Sequence, residues 1–213
     1  MNTGQLALHH QLLHLRKVLS TNHTLINVLH RAVSLNLPNW YLAGGAVSQT
    51  IWNSVSKLPP DTGILDYDLV YHDESDLSYE AEDLAIQAGK EHFRDIAAEV
   101  EIRNQARVYL WYEKKYGIPC PRHESVEAGI DTWISTSAMV GIRLDANGEW
   151  IVYAPRGLSD FFNMVIRPNP VLGTREAYER KVQRWRAIWP LLKAEPWPDE
   201  RRRDGAAERT IDS

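Results

Sequence analysis

Two aspartates one residue apart, Asp66 and Asp68, and two adjacent glycines, Gly44 and Gly45, are the residues of this chain best suited to chemistry. From Leu65 to Tyr71 the residues alternate as in a strand, with Leu65, Tyr67, Leu69 and Tyr71 on one face and Asp66, Asp68 and Val70 on the other. That period places both carboxylates on the same side of a sheet, roughly 6–7 Å apart along the strand. Two carboxylates facing one small space repel by about 4 kcal/mol when they close to roughly 4 Å at an effective dielectric near 20. A hard divalent cation removes that repulsion, and carboxylate oxygens are the ligands Mg²⁺ prefers. Two solvated acids on an edge strand are the plainer alternative. Lacking Cβ atoms, Gly44 and Gly45 let backbone N–H groups approach a phosphate, and a following helix directs its positive end there. A tight strand-to-helix turn without a ligand would look the same. Ser48, one turn on, offers a hydroxyl to the same phosphate, or merely packs.

The elements that must position these residues are legible from periodicity and punctuation. Leucines at near-helical spacing predict helices over 5–19 and 24–35, broken near Ser20–His23 and ended by Pro38. Trp40–Ala43 is a short strand running into the diglycine, a helix follows over 46–55, and the Pro/Gly-rich stretch 57–63 is a loop. Ser78 caps a helix over 79–90, with Glu80, Glu82 and Asp83 in its first turn. A strand is expected over 97–103, and a helix capped by Asn104 runs to about 115. A short helix lies near 124–131. Met139–Leu144 and Trp150–Tyr153 form a hairpin whose Asn147-Gly148 supplies positive φ angles. Thr174 caps a last helix ending near Trp189. Strands and helices mix without a regular βαβ period, which predicts an α+β fold: a mixed β-sheet flanked by helices. The expected organisation is an N-terminal helical hairpin (1–37) on a core domain (38–197), with a mobile tail (198–213) containing Arg201-Arg202-Arg203.

With 213 residues, 44% hydrophobic and 24% charged, the chain has material for one large packed core. A net charge of -4 does not mark the whole surface for nucleic acid, although a local basic groove remains open. The single cysteine, Cys120, excludes an intrachain disulfide and a cysteine metal cluster. His10 and His14 have the i, i+4 spacing that suits zinc, but no third ligand is evident. No apolar run approaches the roughly 18 residues of a membrane span, and no signal peptide is seen, so a soluble cytoplasmic protein is expected.

The runs Leu42-Ala43-Gly44-Gly45-Ala46-Val47 and Asp66-Tyr67-Asp68-Leu69-Val70 resemble the signature of the DNA polymerase β-like nucleotidyltransferase superfamily. Arg103–Val108 with Leu110–Glu113 is similar to a smaller bacterial group of nucleotidyltransferase family proteins, formerly a domain of unknown function. The likeness covers roughly 38–197. It implies a third carboxylate on a neighbouring strand, which aligns with Glu101 rather than Glu99, as metal ligand and as base or orienter of an acceptor hydroxyl. It further implies that Arg103 and Arg107 sit near the triphosphate of an NTP, with Gly44, Gly45 and Ser48 around the phosphates. The cofactor would be Mg²⁺ or Mn²⁺, the product pyrophosphate, and the acceptor an unidentified hydroxyl on RNA, protein or a small molecule. Two departures stand out. About 20 residues separate Gly45 from Asp66, so the intervening loop must bulge. The glycine helix also continues Val47-Ser48-Gln49 rather than the Val-Arg-Asp of tRNA nucleotidyltransferases, which argues against carrying over their substrate. A nucleotide- or RNA-binding module without catalysis, or a helix-mediated interaction protein, would be the competing readings.

Overall fold

In the computed structural model, which describes residues 3–198, a five-stranded mixed sheet has the order β3-β2-β1-β4-β5. The strands are β1 (Tyr41–Ala43), β2 (Asp66–Tyr71), β3 (Glu99–Asn104), β4 (Gly141–Leu144) and β5 (Trp150–Tyr153). Only β2 and β3 run parallel; the other neighbours are antiparallel. The expected α+β architecture is present. One face of the sheet, with Leu42, Tyr67, Leu69, Ile102 and Ile142, buries against leucines of α1 (Leu8–Leu19) and α2 (His23–Ala32) and against α3 (Gly45–Ser56). The two N-terminal helices therefore share the main core. The opposite face is only partly covered. Tyr41, Ala43 and Val70 meet Val126 and Ile130 of α6 (Val126–Ile130), together with Met139.

Local chemistry accounts for the helix starts. Asn22 accepts the Leu25 N–H at 3.0 Å and begins α2. Ser78 accepts the Ala81 N–H at 3.2 Å and begins α4 (Tyr79–His92), whose first turn carries Glu80 and Glu82. Thr174 does the same for α8 (Arg175–Ile188) through the Ala177 N–H at 3.2 Å. The long link between α3 and β2 is not slack. The buried Asn53 donates to the Pro60 and Thr62 carbonyls at 3.0 and 2.9 Å, and its Oδ1 accepts the Trp189 indole N–H at 2.7 Å. One side chain thus ties the loop before the aspartate strand to the end of the last helix.

Three expectations change. Residues 105–115 are not one helix. A 3₁₀ stretch, Gln105–Leu110, is capped by Asn104, breaks at Trp111, and gives way to the five-residue α5 (Tyr112–Tyr116). In the hairpin turn only Gly148 takes a positive φ (79°). The turn is held instead by the Asp145 carboxylate, which accepts the Asn147 and Glu149 N–H groups at 2.8 Å each. Beyond the hairpin, the short α7 (Ser159–Phe162) precedes a two-stranded parallel pair, β6 (Val165–Ile166) and β7 (Lys193–Ala194), that periodicity did not show. The arginine run 201–203 lies outside the described residues. Among those described, no helix is long and apolar enough to cross a membrane.

Candidate active site

Register decides which side chains share a face. Asp68 pairs with Ala43 on one side and with Glu101 on the other, while Asp66 pairs with Glu99. Glu101, Asp68 and Ala43 therefore form one row across three strands, on the face away from the main core. Adjacent strands are about 4.8 Å apart. Gly44 and Gly45 follow Ala43 directly, so the start of α3 opens beside Asp68.

The electrostatics of the row are those of crowded acids. Burial, then the charges of Asp66 and Glu101, push the Asp68 carboxyl up to about 7, against the pull of Lys181 and Arg103. Glu101 leans toward Arg103, at 3.6 Å, in a pair just under half exposed. Among the described residues, no three His, Cys, Asp or Glu side chains are gathered into a ready-made cation site. The donor set nonetheless suits a hard cation. Its members are all carboxylate oxygens on one rigid face, and the repulsion raising Asp68 is what a divalent ion would relieve. An exposed pair such as Glu101–Arg103 is worth about 0–1 kcal/mol. Turning Glu101 toward Asp68 is therefore a small cost beside that relief.

At the glycine turn, Gly44 takes φ 70° and caps α3, and a Cβ there would lie 2.3 Å from the Trp133 ring. The missing side chain is explained by packing as well as by backbone freedom. Its N–H is bonded to the Val140 carbonyl at 2.9 Å, so Gly44 keeps no amide for a phosphate. The amides of Gly45 and of the next residues of α3 have no acceptor within the helix. Ser48 is buried, and its hydroxyl donates to the Gly45 carbonyl at 3.2 Å. Its proton is spent on backbone carbonyls of Gly44 and Gly45.

Arg107 is also placed elsewhere. Its Nε donates to the Leu77 carbonyl at 3.0 Å and its Nη1 to the buried Glu82, fastening the 3₁₀ stretch to α4. The tighter 3₁₀ rotation, and Glu82 as a buried counter-ion, direct it away from the aspartates. Arg103 stays at the cleft.

A cavity of about 670 Å³ opens from Asp68 along β2 and β3. Its walls include Arg103, Lys115, Arg180 and Lys181, and the rings of Trp111, Tyr112, Tyr116 and Trp133. Lys181 is close enough to Asp66 and Asp68 to feel both charges. The surrounding protein strips water from its ammonium end and, with Arg184, moves its pKa down, while the two aspartates oppose that shift. Sequence reasoning missed Arg180 and Lys181 because α8 reads as a solvated basic helix. What aims it is Trp52, whose ring meets Trp185 and Trp189 edge-on with centroids 5.6 and 5.3 Å apart. The i, i+4 tryptophans of α8 were visible in the sequence, but their partner on α3 was not.

Comparison with known proteins now bears on the site. A solved structure described as revealing a CCA-adding enzyme head domain shares this fold at a TM-score of 0.70. It is 24% identical and covers 92% of this chain and 100% of its own. No curated protein matches the chain significantly. A family model described as Nucleotidyltransferase matches residues 30–194, from the end of α2 to β7, and the chain belongs to that nucleotidyltransferase family.

Proposed function

We propose that the protein transfers a nucleoside monophosphate group from an NTP to the hydroxyl of an acceptor, releasing pyrophosphate. The observation that carries this reading is the row Glu101–Asp68–Ala43, which sets paired acids beside the glycine turn and the start of α3. Asp66, Asp68 and Glu101 would hold Mg²⁺, or Mn²⁺ in its place. When bound, the metal supplies charge neutralisation at the attacking and leaving oxygens. Gly45 and the first amides of α3 bind a phosphate. Lys181, Arg180 and Arg103 balance the remaining negative charge, and Glu101 orients the acceptor hydroxyl and accepts its proton. Most of the acceleration then comes from positioning and preorganised charge. Ser48 and Arg107 take no part, because their donors are engaged within the fold.

Pyrophosphate release from each of four NTPs, with and without Mg²⁺, tests the reading in the presence of cell extract as a source of acceptor. Asp66→Asn and Asp68→Asn are each expected to reduce release at least about 1,000-fold, with an unchanged circular dichroism spectrum. Full activity in either variant would remove the assignment. The pairing of Glu101 with Arg103 favours one competing reading, a nucleotide-binding module without turnover. Mg²⁺-dependent NTP binding without pyrophosphate release would identify it.

A further inference from the structure

The far end of the same cleft has a different chemistry from its acidic end. Two residues beyond Asp68 and Glu101, at roughly 6–7 Å along the strands, lie Val70 and Arg103. The chain then passes through Gln105 and Val108 into a wall of Trp111, Tyr112, Lys115 and Tyr116. These aromatic rings meet at tilted angles, 41° for Trp111–Tyr112 and 52° for Tyr112–Tyr116, so none is stacked flat on its neighbour. The Lys115 ammonium stands 5.5 Å from the Trp111 ring centre and 5.2 Å from that of Tyr116. Tyr112 is anchored by its hydroxyl, which donates to the Leu172 carbonyl at 2.8 Å. Tyr116 is half exposed at the rim, with a relative exposure of 50%.

We propose that the wall formed by Trp111, Tyr112, Lys115 and Tyr116 is the subsite that receives the base of the donor nucleotide. The inference rests on the function proposed above, which fixes the phosphates at the acidic end. A ligand with its charged group at Asp68 and Lys181 reaches the wall with the part farthest from its phosphates, and in an NTP that part is a planar base. The cavity's size is in the range of small-molecule sites. Its four cations against Asp68 fit a polyanion, and aromatic faces accept any base because every base presents a π-face. Single-stranded nucleic acid is less favoured as occupant of the wall, because the same cavity that ends in the rings begins at Asp68.

The test compares two ligands on the full chain by calorimetry, both with Mg²⁺: inorganic tripolyphosphate and a non-hydrolysable α,β-methylene NTP. Wild type should bind the NTP analogue at least about tenfold more tightly than tripolyphosphate. Tyr116→Ala and Trp111→Leu should each weaken the analogue about 5- to 100-fold and leave tripolyphosphate within about twofold. Tyr116→Ala removes an exposed ring, so its result stands even if Trp111→Leu fails to fold. Equal affinity of wild type for both ligands, or analogue binding untouched by Tyr116→Ala, overturns the subsite while leaving the phosphate site in place. If Tyr116→Ala weakens only a short single-stranded oligonucleotide, the wall belongs to the acceptor and this assignment is wrong. If wild type binds neither ligand, the proposed function fails and the subsite with it.

Discussion

Asp68 carries a conflict that pH should expose. Its carboxyl is raised from the ordinary 3.8 to about 7, first by burial and then by Asp66 and Glu101. In the unfolded chain it ionises near 4, so between about 4 and 7 the folded state holds the extra proton. Stability contributed by this group is therefore greatest at low pH, falls as pH rises through that window, and is level above it. Because Asp68 keeps some solvent contact, roughly 1–3 kcal/mol is a fair magnitude for the metal-free protein. Urea melts should show Asp68→Asn more stable than wild type at pH 8, with the gap reduced to less than about half at pH 5 and closing below about pH 4; a gap of the same size at pH 8 and pH 5 would mean that the carboxyl is not strained. Gly44 offers a second residue-scale test. Gly44→Ala meets both the positive φ and the Trp133 ring, and should lose about 2–4 kcal/mol. In a Trp133→Leu background the loss should shrink toward the backbone part alone, about 1 kcal/mol, which a double-mutant cycle would read. For Arg107, replacement by Met leaves Glu82 buried without its partner and should cost about 3–5 kcal/mol in denaturant melts. At a temperature where the variant is folded, its NTP affinity should stay within about twofold of wild type.

Among the elements, the connection from α3 to β2 has the greatest leverage on the site, because it delivers the aspartates. Asn53→Ala leaves the Thr62 carbonyl and the Trp189 indole N–H without their Asn53 partner, leaves the Pro60 carbonyl only its longer bond from Asn22, and should destabilise the fold by about 2–4 kcal/mol in urea melts. Much at this scale was legible beforehand. Leu65 lies outside β2 and is exposed, but from Asp66 to Tyr71 the alternation holds because one face of β2 is core and the other is cleft, so β2 and the facing of Asp66 and Asp68 follow from period. Ser78 and Thr174 act locally, and the helix starts could be read from them; the cap at Asn22 was not read, only a break near Ser20–His23. The segment after Asn104 could not. The 3₁₀ winding of Gln105–Leu110 goes with the buried Arg107–Glu82 contact across 25 positions, which no local pattern contains. The bonding of the Ser48 hydroxyl to the helix backbone and that of the Gly44 amide to Val140 are likewise facts of packing. They move the proposed phosphate-binding role one residue along the chain without changing the motif that announced it.

On the scale of the whole molecule, the cleft joins segments from opposite ends of the sequence. The acids come from the sheet, between residues 66 and 101, whereas Arg180 and Lys181 arrive on α8, held by the contacts of Trp185 and Trp189 with Trp52. Charge of one sign is thus built into an early part of the polypeptide, and its complement is docked late by apolar rings. As synthesis proceeds, Asp66 and Asp68 emerge more than 110 residues before the lysine that faces them. A nascent chain stopped short of Trp189 would have every proposed metal ligand and no firm hold on the cations of α8. Retention of a polyanion at the proposed site would therefore await the emergence of Trp189, when indole packing docks α8 against α3.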